Sequence, residues 1–150
     1  MKLVIQRVTR AEVRVGGAAV GSIGRGVLVL VGVERTDGTD EVDRAAHRVA
    51  TLRIFEDRDG KMNLGLDQVG GEVLAVSQFT LAGSIRKGRR PRFDGAMPGA
   101  EAEPLFERFA SGLRDLGLTV ATGSFGALME VELVNDGPVT LIWEDRGSHA

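Results

Sequence analysis

Gly71-Glu72-Val73-Leu74-Ala75-Val76-Ser77-Gln78-Phe79-Thr80-Leu81 begins apolar and ends polar. Val73, Leu74 and Val76 form a short block of β-branched and apolar residues between Gly70-Gly71 and Ala82-Gly83, the pattern of a buried strand. Ser77, Gln78 and Thr80 break that pattern. Three hydrogen-bonding side chains are tolerated there only if they bind each other, the backbone or a ligand, because an unpaired buried polar group costs about 1 to 3 kcal/mol. The cluster therefore needs a partner.

Outward from this strand, Gly26-Val27-Leu28-Val29-Leu30-Val31-Gly32-Val33 is the most hydrophobic segment and has no polar face. Such a strand is covered on both sides and belongs at the centre of a sheet. Before it, residues 2–9 alternate loosely, and Glu12-Val13-Arg14-Val15, Gly16-Gly17 and Val20-Gly21-Ser22-Ile23 read as a hairpin. After Arg35-Thr36-Asp37-Gly38 the period changes. Val42, Ala45, Ala46, Val49 and Leu52 fall at helical spacing, with Asp40 and Glu41 in the first turn, where carboxylates suit the helix dipole.

Arg53-Ile54-Phe55 starts a further strand, and Asp57-Arg58-Asp59-Gly60-Lys61 is a turn. Its Asp-x-Asp-Gly has the opening of a calcium loop, but Gln68 stands where the terminal glutamate ligand would be. Gly21-Ser22-Ile23-Gly24-Arg25-Gly26 has the glycines of a dinucleotide loop in the wrong order, with a strand after it instead of a helix. Downstream, 94–98 is loop, and Leu105, Phe106, Phe109, Leu113 and Leu116 mark a second helix closed by Gly117. A short strand follows over 118–121, then an alternating strand over 129–134 with Met129, Val131 and Leu133 inward, then a last strand over 139–143. Many strands, two helices and no regular βαβ alternation predict one α+β domain over 1–150. Strongly twisted, barrel-like mixed β-sheets would carry two main amphipathic helices outside, with 146–150 a loose tail.

With 150 residues, 43% of them hydrophobic, the chain is long enough for one core. No apolar run approaches the roughly 20 residues of a membrane helix, and Met1-Lys2-Leu3-Val4-Ile5-Gln6-Arg7 lacks the features of a signal peptide. A cytoplasmic protein is expected. Zero cysteines exclude disulfides and thiolate chemistry, and two histidines, His47 and His149, leave little for a metal centre or a Ser-His-Asp triad. Neither a metal nor a cofactor is expected. A net charge of -2 makes no global case for nucleic acid, but Arg86-Lys87-Gly88-Arg89-Arg90-Pro91-Arg92 gathers five cations in seven positions without an acid.

Asn135-Asp136-Gly137-Pro138 separates the last two strands. Asp-Gly suits a type I′ hairpin turn. Pro138, however, removes a donor where the next strand should pair, and an X-Pro bond gives up only about 0.5 to 1 kcal/mol in adopting cis. From this fragment alone an edge-strand turn is the plainer reading.

Taken together, the fragments say more. Ser77-Gln78-Phe79-Thr80-Leu81 and Asn135-Asp136-Gly137-Pro138-Val139-Thr140, with Ile5-Gln6-Arg7-Val8 ahead of them, Gly88-Arg89-Arg90-Pro91-Arg92-Phe93 between and Phe125-Gly126-Ala127-Leu128-Met129 before the second, closely resemble the D-aminoacyl-tRNA deacylase family of bacteria and eukaryotes. The resemblance runs from Met1 to about Trp143. One departure is visible: Arg89 and Arg92 stand where the family more typically has Asn and Ser.

The resemblance implies a homodimer in which Gly137-Pro138, in cis, reaches from one subunit into the other's pocket beside Ser77, Gln78, Phe79 and Thr80. It also implies hydrolysis of the ester joining a D-amino acid, or glycine mischarged on an alanine tRNA, to the 3′-terminal adenosine. An aminoacyl ester is already activated, so positioning and main-chain donors can suffice without a histidine. If the Gly137 and Pro138 carbonyls clamp the α-amino group where an L side chain would project, L-substrates are excluded by clash. Gln78 would bond the adenosine or the pocket wall. Thr80 would position rather than attack, since no general base activates it, the alternative being a satisfied core hydroxyl. Arg7 would anchor the Gly137-Pro138 loop or pair with a carboxylate on the sheet. Phe125 and Met129 would border the adenosine or simply pack, and Ala82 would be a further substrate-binding residue. Arg86, Lys87, Arg89, Arg90 and Arg92 would meet acceptor-stem phosphates. Two other readings stay open: a tRNA-binding protein without chemistry, and a small dimeric structural protein.

Overall fold

The computed structural model describes residues 1–146, and the first strand, β1 (Lys2–Val15), is the rail along which the others are laid. The Gly16-Gly17 turn reverses the chain into β2 (Ala18–Ile23), Val15 facing Ala18. β3 (Gly26–Gly32) then pairs antiparallel with the first half of β1, from Lys2 opposite Gly32 to Val8 opposite Gly26. After helix α1 (Thr39–Thr51) come a small ribbon of β4 (Phe55–Glu56) and β5 (Met62–Leu64) and the single turn α2 (Leu66–Val69). β6 (Glu72–Ser77) enters parallel to β3. Helix α3 (Gly99–Asp115) leads to β7 (Val120–Thr122), parallel to β6, and β8 (Glu130–Glu144) runs antiparallel along β1.

The sheet order is β2-β1-β3-β6-β7, with β8 on the other side of β1. Its two ends approach each other, because a Cβ on Gly21 of β2 would lie only 2.3 Å from the Thr122 carbonyl oxygen of β7. Any side chain at 21 would part them. The result is the nearly closed, barrel-like mixed sheet that the strand pattern predicted.

Alternation along β3 shows why its run is apolar throughout. Val27, Val29 and Val31 face one core, shared with α1 and α3, while Leu28 faces a second. β6 divides likewise, Val73 and Ala75 to the helix side, Leu74 and Val76 to the other. The helices cover one face with Val42, Ala45, Ala46 and Val49 of α1 and Ala102, Phe106, Phe109, Ala110 and Leu113 of α3. An exposed bidentate Arg108–Asp43 pair at 2.8 and 2.9 Å links the two helices. Phe109 is fully buried, so its truncation to alanine removes about 3 to 5 kcal/mol.

Several expectations need correction. The turn at 135–138 is not a hairpin, for both of its flanks lie on one strand, β8, paired with the same strand β1. Residues 2–9 and 12–15 are one strand, held continuous by β8 at its side. α3 begins at Gly99, several residues before its apolar periodicity becomes legible, and the strand expected at 118–121 is Val120–Thr122. Of the strand expected from Arg53, only Phe55–Glu56 forms. Asp57 closes the next turn by accepting from the Asp59 and Lys61 amides at 2.9 and 3.1 Å. Of the expected tail, Arg146 is exposed and paired with Glu144; the remainder, with His149, lies outside the described residues. No helix among the described residues is long and apolar enough to cross a membrane.

Candidate active site

β6 stops at Ser77 because Gln78 turns the backbone out of the strand (φ -143°, ψ 84°) into a single 3-10 turn, Phe79–Ala82. The Gln78 amide still donates to Val31 O at 2.8 Å, so the turn is tied to β3. Two of the three polar residues bind each other, the Gln78 side-chain amide donating to the Thr80 hydroxyl. Thr80 is exposed and is no core hydroxyl. Phe79 is also exposed, 56% of its surface facing solvent.

Beside this turn lies a cavity of about 600 Å³. Val76, Ser77, Gln78 and Phe79 form one wall, Ala96, Met97 and Pro98 another, and Phe125 to Met129 a third. Of the residues singled out from sequence, Ser77, Gln78, Phe79, Phe125 and Met129 meet here; Thr80, Ala82, Arg7, Gly137 and Pro138 do not line it. Phe125 also packs at 6.0 Å from Phe106, so it serves core and cavity at once. No histidine, cysteine or carboxylate is among the lining residues. Shifted carboxylates stand elsewhere, among them Glu132, held low by Arg14 and Arg10, Asp43, held low by Arg108, and Asp37, raised by burial.

At the rim Phe93 meets Phe79 edge to face, centroids 5.3 Å apart. The basic loop closes on itself just before it, Ser84 and Arg92 exchanging main-chain bonds of 2.7 and 2.9 Å. Arg86, Lys87, Arg89 and Arg90 are exposed, while Arg92 pairs with Asp94 at 2.8 Å. Ala82 sits with Ser84, Arg86, Lys87 and Arg92 around a smaller hollow of about 290 Å³.

Gly137 and Pro138 project from β8. Gln6 faces Thr140 and Val8 faces Asn135, so the single residue Arg7 stands opposite a bulge of four, 136–139. Gly137 has φ +116°, a conformation that disfavours a side chain, and its peptide to Pro138 is cis. Arg7 does both things expected of it. Its Nε donates to Asp136 O and pairs with the Asp136 carboxylate, each at 3.3 Å, while Nη1 donates to Ile54 O at 2.7 Å. Being in phase with Leu3 and Ile5, it occupies a core slot with only 6% of its surface exposed. The sequence reading missed Asn135 as more than a turn residue: its Nδ2 donates to Arg7 O and Val139 O, both at 3.0 Å. It also missed Met97 and Pro98, which no motif marks.

The cavity is thus apolar with a polar lip, and the basic loop ends at its rim. Comparison with known proteins gives the class of protein it belongs to. A family model described as D-Tyr-tRNA(Tyr) deacylase matches residues 4–144. Proteins named D-aminoacyl-tRNA deacylase are 57% identical over 142 residues in Symbiobacterium thermophilum, covering 95% of this chain and 94% of that one. One from Heliobacterium modesticaldum is 55% identical over 150 residues, covering 100% of both. A solved structure described as the c-Myc DNA unwinding element binding protein superimposes with a TM-score of 0.91 at 42% identity, over 98% of this chain and 100% of that one. A second, titled as a "probable eukaryotic D-amino acid tRNA deacylase", has a TM-score of 0.83 at 18% identity, over 95% of this chain and 97% of that one, and shares the fold. The chain belongs to the D-aminoacyl-tRNA deacylase family, hydrolases of the aminoacyl-tRNA ester bond.

Proposed function

We propose that this protein works as a homodimer in which the Gly137-Pro138 bulge of each subunit enters the cavity of the other, where its main chain filters handedness. The observation that carries this reading is the separation within one chain: Gly137 and Pro138 are exposed at the tip of a bulge that Arg7 anchors, and they do not line their own cavity. It projects from an edge strand whose Val134, Leu141 and Ile142 are solvent-exposed, Ile142 by 72%. An exposed apolar edge strand is a surface suited to contact with a second chain.

In the joined site the Gly137 and Pro138 carbonyls hold the substrate's α-amino group and fill the space of an L side chain, so a D-residue or glycine enters. Phe79 with its neighbouring amides lines the ester end, and Phe125 and Met129 border the adenosine. Thr80, already accepting from Gln78 and without a carboxylate or imidazole beside the cavity, positions the ester; water assisted by the neighbouring ribose hydroxyl attacks. The basic loop meets acceptor-stem phosphates, and the work belongs to translation quality control in the cytoplasm.

The test is deacylation of matched D- and L-aminoacyl-tRNA, with glycyl-tRNA as a third substrate. Release of D-amino acid and glycine with L-ester intact supports the proposal; equal release of D and L sinks it. The name of the 42% identical neighbour favours one second reading, DNA binding through the same basic loop. Competition between tRNA and duplex DNA separates them.

A further inference from the structure

Where four residues of β8 loop out opposite one of β1, a rung of the ladder is missing. Main-chain groups left without partners there need others. Asn135 supplies them. Its Nδ2 donates across the gap to Arg7 O on β1 and, past the bulge, to Val139 O on its own strand, both at 3.0 Å. One amide group thus ties the near end of the bulge to the far end and to the neighbouring strand. Its orientation is set from behind: the Thr140 hydroxyl donates to Asn135 Oδ1 at 3.1 Å, and Gln6 Nε2 donates to that hydroxyl at 3.3 Å.

Arg7 meanwhile holds Asp136 O. The carbonyls on either side of Gly137-Pro138, those of Asp136 and Val139, are therefore each claimed by a side chain, while Gly137 and Pro138 have no ladder partner on β1. The main chain between is presented outward at a height fixed from both ends.

We infer that Asn135, oriented by Thr140, is a positioning residue for the Gly137-Pro138 main chain and so sets the stereoselectivity of the site, an inference that rests on the dimeric deacylase proposed above. The chemistry demands an amide: both carbonyls need donors, and Thr140 needs an acceptor. Aspartate would turn an anion toward two carbonyl oxygens, and alanine would remove the donor that both receive. A displacement of about 1 Å near a reacting centre changes rates by about 10²-fold.

The experiment measures kcat and KM on a matched D- and L-aminoacyl-tRNA pair for Asn135→Ala, Asn135→Asp, Thr140→Val and Thr140→Ser, beside their thermal midpoints. Asn135→Ala should reduce the D-over-L ratio of kcat/KM by about 10²-fold, and Asn135→Asp at least as much. Thr140→Val should shift the ratio the same way by less, and Thr140→Ser, which keeps the hydroxyl, should restore it. A purely structural asparagine would lower activity toward both esters alike and leave the ratio unmoved. Folded Asn135→Ala with the wild-type ratio overturns the inference. If Asn135→Ala does not fold, the Thr140 pair decides, and equal ratios for Val and Ser overturn it. A wild-type enzyme without D-preference removes the deacylase proposal itself, and the inference with it.

Discussion

Replacing Arg7 by methionine keeps most of the volume of a side chain that is 6% exposed and removes its donors. The buried Ile54 carbonyl loses a 2.7 Å bond, which costs about 1 to 3 kcal/mol for an acceptor left unpaired. The half-buried Asp136 carbonyl loses a longer one at 3.3 Å, worth roughly 1 kcal/mol. The total, about 2 to 4 kcal/mol, corresponds to roughly 5 to 15 °C in thermal midpoint for a chain of this length. Lysine should do little better, since one ammonium cannot span Ile54 O and Asp136 as the planar fork does. Because Arg7 also grips one end of the bulge, discrimination should fall alongside stability. Calorimetry and paired D- and L-ester kinetics read the two effects separately. An unchanged midpoint together with an unchanged D-over-L ratio in Arg7→Met would refute the reasoning.

Thr80→Ala should retain substantial deacylation, because the hydroxyl positions and does not attack; complete loss in a folded protein would count against that role. Charge reversal at Arg89 and Arg90, both exposed, should weaken tRNA binding and flatten its dependence on salt. Binding equal to wild type at low salt would free the loop of that role. On acidification, Glu132 and Asp43 have folded values below the ordinary 4.5 and 3.8, drawn down by Arg14 and Arg10 and by Arg108. Their contribution is present above those ordinary values and is lost as pH falls through the lower folded ones. Asp37, raised by burial, acts in the opposite sense. The thermal midpoint should therefore drop between pH 5 and pH 3, less steeply in Glu132→Gln/Asp43→Asn; a midpoint that rises would reverse the balance.

The core was legible wherever a local period carried it. Gly26–Gly32 reads as a two-faced strand because both of its faces are apolar, and α1 declares itself through Val42, Ala45, Ala46 and Val49. The polar end of β6 asked for a partner; Gln78 and Thr80 supply one to each other, and Ser77 and Gln78 line the cavity. Asn135-Asp136-Gly137-Pro138 misled when taken alone, because a hairpin and a wide bulge use the same turn residues. Only the pairing of both flanks with β1 tells them apart, and pairing is a long-range property. Arg7 left two readings open because a strand position does not reveal what lies across it; the fold makes both contacts at once. Met97 and Pro98 reach the cavity through the path of the loop before α3, which leaves no mark in composition.

Complementation between subunits tests the central claim most directly. One variant has its cavity blocked by Ala127→Trp. The other has its bulge altered by Gly137→Ala, whose Cβ would lie 3.0 Å from Arg7 Nη2 at a φ of +116°. Each alone should be poorly active on D-aminoacyl-tRNA. After subunit exchange, random two-fold pairing puts one intact cavity against one intact bulge in half of the dimers, so about a quarter of the wild-type D-specific activity should return. No recovery, with mixed dimers demonstrated, would mean that bulge and cavity serve within a single chain or not together at all.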